Sequence, residues 1–337
     1  MLPGRRVSPI EQMRHDVIMR WTAILLLPGL LTAQQQPPKP AAPPAEAADP
    51  VIRVDVNLVN MFASVRDKKG GFVKGLDRSA FSVFEDGKKQ EIRYFAEETK
   101  LPLTIGLLVD VSKSQENLIE VERRAASAFF RQLLRPKDSA FLISFGMEAE
   151  LLQDMTNSAN LLEKGLGNLR LSVPVGGVFT PGTTNQPVRG TILFDAMYLA
   201  AHDQLKGEVG RKVLVVITDG MDYGSRIKIQ GAIEAAQKAD AIIYSIYYTD
   251  MRYSMYGGGS DGDLRKMSAE TGGRVFSVSR NRTLQQIFTE IDEEMRSQYT
   301  IGYAPQGAQR DGAFHQIEIR TDNKDHRVAA RKGYYAQ

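Results

Sequence analysis

The residues best suited to chemistry are oxygen-bearing side chains placed where apolar segments end. In "LLVDVSKSQEN", residues 107–117, a buried-looking run stops on Asp110, and hydroxyls follow at alternate positions, Ser112 and Ser114. Further on, "VLVVITDG" leads to Asp219, and Thr191 follows the loop "VGGVFTPGTTNQPVRG". A chain leaving a strand in a tight loop can turn every second side chain to one point. Such carboxylates and hydroxyls offer only hard oxygens with few formal charges, a donor set suited to Mg2+, with Mn2+ or Ca2+ as alternatives. Each residue also has a plainer reading. Ser112 and Ser114 are good caps for a helix beginning near Asn117, Thr191 suits a helix N-terminus, and Asp219-Gly220 suits a strand-end turn. Asp195 reads as a structural acid in the first turn of its helix, where a carboxylate suits the dipole, and Asp222 as a solvated loop acid.

Catalytic arrangements are missing from the same stretches. The chain has no cysteine, and its four histidines, His15, His202, His315 and His326, form no H-E-x-x-H pattern. Neither a G-x-x-x-x-G-K-[ST] loop nor a G-x-S-x-G elbow occurs. A phosphoaspartate mechanism at Asp110 resembles D-x-D chemistry, but Ser112 stands where the second acid belongs, and a serine hydroxyl cannot move that proton near neutral pH. The expectation is a protein that is not an enzyme and has no small-molecule substrate.

The elements that must hold these side chains have a clear rhythm. "LTIGLLVD", "SAFLISFG", "KVLVVITDG", "AIIYSIYYTD" and "GRVFSVS" read as continuous apolar strands. Between them lie helix-like segments, among them "NLIEVERRAASAFFRQLL", whose stripe is Leu118, Val121, Ala125, Ala128 and Phe129. Apolar strands alternating with amphipathic helices predict an α/β, Rossmann-like, doubly wound and mostly parallel sheet over residues 100–297. In open sheets of this kind a ligand site lies beyond the carboxyl ends of the strands. Asp110 and Asp219 fall there.

The flanks are different. Residues 51–97 read as half-buried strands with a hairpin signal at Asp86-Gly87, and "SQYTIGYAP", "FHQIEIRTD" and "HRVAARKGYYA" read as strands in residues 298–337, with Asp311-Gly312 between the first two. Each flank alone is too short for a core. Together they predict one small β-sandwich into which the α/β segment is inserted. Residues 34–50, "QQQPPKPAAPPAEAADP", read as a Pro/Ala-rich linker. Residues 1–33, with Met19 as a second candidate start, read as a secretory signal: Arg20, a short apolar run interrupted by Pro28, then Thr32-Ala33. The other reading is an uncleaved anchor. Export to the periplasm, cell envelope or medium follows from the first.

With 337 residues, 42% of them apolar and 25% charged, the chain can bury a core, and a net charge of +3 without a basic cluster argues against nucleic acid. D-x-S-x-S, a threonine ahead of a helix and T-D-G after a later strand, in this order, resemble the von Willebrand factor A domain over residues 100–297. The flanking "GLDRSAFSVFEDGKKQEI" and "RKGYYA" resemble bacterial proteins that carry this domain between β segments. The resemblance implies a metal-ion-dependent adhesion site. Ser112, Ser114 and Thr191 would supply hydroxyls, and Asp110 and Asp219 would hold the metal directly or through water. One position would stay open for an Asp or Glu carboxylate of a protein partner. Rim loops 172–190 and 251–262, with Thr180, Thr183, Tyr253 and Tyr256, would touch that partner, or are plain surface loops. The alternative is an envelope scaffold in which the metal only staples the rim and the β-domain makes the contacts. Nothing in the sequence fixes the oligomeric state.

Overall fold

The computed structural model describes residues 58–97, 101–172, 190–250, 259–305 and 312–336, all within one unit, Asp55–Gln337. The chain first lays down β1 (Val59–Arg66), β2 (Phe81–Glu85), β3 (Lys88–Gln90) and β4 (Ile92–Glu97). β2 and β3 form the hairpin expected at Asp86-Gly87, where both residues have positive φ, 47° and 77°. That is the pair of conformations a two-residue turn matched to strand twist requires.

The α/β segment follows as β5 (Leu103–Asp110), α1 (Ile119–Leu133), β6 (Ser139–Phe145), β7 (Ala149–Thr156), α2 (Ala159–Gly167) and α3 (Leu193–Leu199). It continues as β8 (Arg211–Thr218), α4 (Ile229–Lys238), β9 (Ala241–Tyr247), α5 (Gly262–Thr271), β10 (Val275–Ser277) and α6 (Leu284–Met295). The sheet order is β10-β9-β8-β5-β6-β7, parallel except for β7, which runs antiparallel at the edge with register shifts against β6. β7 is the strand the apolar-run pattern passes over: "AELLQDMT" has no buried residue, because an edge strand faces solvent on one side. α1, α2 and α6 pack on one face of the sheet, and α3, α4 and α5 on the other.

α1 is rotated relative to the sequence-predicted stripe. Its buried face is Ile119, Glu122, Ala125, Ala126, Phe129, Phe130 and Leu133, and Val121 is exposed. A charged residue in the middle of the apolar stripe hides the true phase.

β11 (Tyr299–Tyr303), β12 (Phe314–Thr321), β13 (Arg327–Ala330) and β14 (Gly333–Tyr335) complete the chain. They mix with the first four strands in two antiparallel sheets, β13-β1-β11-β4 and β14-β12-β2-β3. Inward residues of both sheets, including Met61, Val65, Phe81, Val83, Tyr299, Ile301 and Ile319, form a separate core. The N- and C-terminal flanks therefore share both sheets, alternating strand by strand in the first and meeting at the β12–β2 pair in the second. The outer side of β1 is tied to the α/β segment through Glu294, which is fully buried on α6 and accepts from Ser64 Oγ at 3.1 Å, Arg66 Nη2 at 2.7 Å and Arg274 Nε at 2.8 Å. Among the described residues no helix is long and apolar enough to cross a membrane.

Candidate metal centre

β5 is buried along its whole length between β8 and β6, so Asp110 reaches the carboxyl edge of the sheet with 0% exposure. Its two oxygens are held from different elements. Oδ1 accepts the Ser112 backbone N–H at 2.9 Å, and Oδ2 accepts the Thr218 hydroxyl, at the end of β8, at 2.6 Å. The first bond closes a tight Asp turn of the kind short acids form with the backbone two residues on. It leads into a short 3-10 turn, Lys113–Gln115, and the Ser112 and Ser114 hydroxyl oxygens meet at 3.0 Å. Neither serine caps a helix: Ser112 makes no side-chain cap bond to the short turn, and α1 begins with Leu118 at its N-cap, also without one. The capping alternative is thereby set aside, since α1 starts later than the sequence predicts.

Asp219 stands one residue beyond β8 and is buried, its Oδ1 accepting the Met221 N–H at 3.2 Å. The next residue must be glycine. Gly220 has φ 78°, and a Cβ there would come within 2.0 Å of the Ser260 carbonyl oxygen. Thr191 is also buried, and backbone bonds tie it to both neighbouring strand ends. Its carbonyl accepts from Tyr223 and Gly224 of the loop after β8, at 3.0 and 3.1 Å, and Ile192 N–H donates to Gly146 after β6 at 2.9 Å. Gly146 in turn packs against Ser172, with Ser112 N 3.7 Å from where its Cβ would stand. Ile192, not Thr191, occupies the N-cap of α3.

The structure thus gathers Asp110, Ser112 and Ser114 in one hydrogen-bonded turn, with Asp219 beside them and Thr191 on the same rim. Asp195 is structural, accepting from the Arg226 and Ile227 backbone N–H groups. Asp222 is not a solvated acid. It accepts from Phe194 N–H at 3.2 Å and Ser225 Oγ at 2.6 Å, serving the start of α3 from a neighbouring loop. Thr180, Thr183, Tyr253 and Tyr256 lie outside the described residues, as do Asp311 and residues 1–57.

The electrostatics favour a cation. Burial pushes the Asp110 carboxyl up to about 7, with the charge of Asp219 adding to the push, against the hydrogen bonds from Ser112 and Thr218. The groups that weigh most on it include no cation. Two buried carboxylates side by side repel unless a positive charge joins them. Oxygen-only donors of low total charge fit a hard divalent ion. The residues present therefore fit the metal that the motif implies.

Three residues near this rim carry no signal that the motif reading uses. Thr218 is the threonine of "ITDG", and only the three-dimensional pairing of β5 with β8 gives it Asp110 as a partner. Gln115 is fully buried and donates through Nε2 to the Tyr248 carbonyl at 3.2 Å. Glu122, also fully buried, has no hydrogen-bond partner for either oxygen among the described residues, and burial, together with the Asp110 charge, pushes its carboxyl well above the usual range. An acid inside the apolar stripe of α1 is the signal that could have found it.

Residues 182–290 match the family model of the von Willebrand factor type A domain. That domain is a known metal-dependent adhesion and protein-interaction module that binds a divalent ion at its adhesion site. The matched segment includes Thr191 and Asp219, whereas Asp110, Ser112 and Ser114 precede it. Among similar solved structures is an aerotolerance-related membrane protein from Bacteroides fragilis NCTC 9343, at 16% identity and TM-score 0.43, covering 57% of this chain and 98% of that one. Another is proximal thread matrix protein 1 from the mussel byssus with a zinc-occupied MIDAS motif, at 13% identity and TM-score 0.47, covering 63% of this chain and 49% of that one. The SpRpn10 VWA domain is a third, at 15% identity and TM-score 0.38, covering 57% and 95%. No curated protein matches the chain.

Proposed function

We propose that this protein is an exported binding module of the adhesion type, not an enzyme. Asp110 and Asp219 hold Mg2+ at the rim, directly or through water, and Ser112, Ser114 and Thr191 offer it hydroxyl oxygens. The observation that carries the reading is the pair of buried carboxylates, Asp110 and Asp219, placed with serine hydroxyls at the carboxyl edge of the sheet without a compensating cation among the groups that weigh most on Asp110. Neutral hydroxyl donors leave positive charge on a bound ion, which an Asp or Glu carboxylate of a protein partner can meet. Loops 172–190 and 251–262, with Thr180, Thr183, Tyr253 and Tyr256, would choose the partner. Residues 1–33 direct export, residues 34–50 act as a spacer, and residues 51–97 with 298–337 form the β-domain that carries the 100–297 module.

The test is a melting series against MgCl2 and MnCl2, run on the wild type and on Asp219→Ala. Binding to the native state alone raises stability by about 2.7 kcal/mol at a hundredfold excess over Kd. Wild type should gain and the variant should not. A wild type that shows no shift at millimolar metal and no binding by calorimetry overturns the metal reading. Pull-downs from envelope fractions with and without EDTA then test the partner. Contacts that survive EDTA belong to the β-domain and favour a scaffold.

A further inference from the structure

The β-sandwich carries an acid where its own pattern asks for a hydrocarbon. The inward positions of β2 are Phe81, Val83 and Glu85, and Glu85 is only 8% exposed. Its Oε2 has no hydrogen-bond partner among the described residues. The Tyr303 hydroxyl approaches the same carboxylate from the facing sheet and interacts with it, without closing a hydrogen bond of normal geometry. A buried carboxylate left in this way is costly unless a positive charge or several donors reach it.

Two further ligand-type side chains stand at the same end of the sandwich. His315, on β12, places Nδ1 3.6 Å from Glu85 Oε1 and 2.8 Å from Asp86 Oδ2. One donor atom from each of Glu85, Asp86 and His315 lies within 4.8 Å of the other two. Ligand atoms around one Zn2+, each at about 2.0–2.2 Å, stand roughly 3.3 Å apart in a tetrahedron. The two measured separations bracket that value, so small side-chain adjustments suffice. An imidazole nitrogen with two carboxylates is a donor set for a borderline ion such as Zn2+, and a poor one for Mg2+ or Ca2+.

We propose that Glu85, Asp86 and His315 form a second divalent site, of the zinc class, that fastens the β2–β3 turn to β12. This site lies in a different sheet from the rim of β5 and β8 and does not depend on it. It takes an ion with nitrogen affinity, where the rim takes one with oxygen affinity.

The experiment is a calorimetric titration of ZnCl2 into the full-length chain carrying Asp219→Ala, so that rim uptake is weakened. Visible absorption of Co2+ serves as a second readout. His315→Gln and Asp86→Asn are then added separately. Asn tolerates the left-handed backbone that Asp86 adopts, so the turn survives that change. One zinc equivalent should bind in the Asp219→Ala background, raise its Tm, and weaken by roughly hundredfold in each double variant. The Co2+ band should be lost with it. Equal zinc affinity and stoichiometry with and without His315→Gln or Asp86→Asn overturns the site, as does a background protein that binds no zinc. Should His315→Gln fail to fold, Asp86→Asn decides alone.

Discussion

The Thr218 hydroxyl, at the end of β8, donates to Asp110 Oδ2, at the end of β5, at 2.6 Å. This single bond joins the two strand ends on which the candidate metal residues sit, and it supports Asp110 in its ionised form. Hydrogen bonds to charged groups contribute about 1.5–3 kcal/mol. Thr218→Val should therefore weaken Mg2+ binding by roughly ten- to a hundredfold while leaving the fold intact, since Val keeps the shape of a buried strand residue. Calorimetry at pH 8 checks it, and an unchanged Kd would show that the bond does not support the site.

The raised Asp110 carboxyl sets a pH dependence. Its folded value is about 7, against an ordinary value of about 3.9. Between these the native state keeps a proton that the unfolded state releases. That contribution to stability is full below about pH 4 and is lost as the pH rises through about 7. In EDTA, the wild type should lose stability over this window by more than Asp110→Asn does. A divalent ion at this site would need the deprotonated carboxylate, so Mg2+ affinity should climb with pH and level off above about 7. Melts and titrations at half-unit steps from pH 5 to 8.5 measure both trends. Profiles that coincide for the wild type and Asp110→Asn would contradict them.

Gly146 makes a geometric prediction. A Cβ there would stand 2.4 Å from Ser172 Cβ, in the segment whose carbonyl also holds Ile192. Gly146→Ala should cost about 1–3 kcal/mol, the range for overpacking. It should also reduce Mg2+ affinity, because the strain falls between Ser112 and Thr191. Chemical denaturation gives the first quantity and calorimetry the second.

Glu122 should be a liability to stability. Both its oxygens are buried without partners. A buried polar group left without a partner costs about 1–3 kcal/mol, a cost that a hydrocarbon of similar volume does not carry. Glu122→Met should raise the urea midpoint with an unchanged slope. A loss of stability would mean that ordered water or a bound ion serves this carboxyl.

The opposite sign is expected at Glu294. This buried carboxylate takes hydrogen bonds from Ser64, Arg66 and Arg274 and ties β1 to α6. Glu294→Ala removes one side of a buried ionic cluster and should destabilise by about 3–5 kcal/mol. A midpoint shift below about 1 kcal/mol would show that the tie is not energetically important.

Much of this molecule was legible in one dimension because its strands and helices carry their own periods. β5, β6, β8 and β9 read as buried strands because a sheet covered on both faces demands apolar residues at every position. The Asp86-Gly87 hairpin read as one because few residues accept two successive positive φ values. The alternation of Asp110, Ser112 and Ser114 marked a candidate site because oxygen donors at that spacing are out of place after a buried strand. Elements whose period is broken or absent did not read. β7 has no buried residue to betray it, and the phase of α1 was masked by Glu122. What tertiary structure alone decided was pairing. That β1 lies between β11 and β13, that Thr218 meets Asp110, that Asp222 serves α3, and that Glu85 meets His315 all depend on contacts between residues far apart in the chain. Local sequence specifies which face of an element is apolar. Which neighbour covers that face is settled only when the whole chain packs, since burial and hydrogen bonding are satisfied jointly by all the elements.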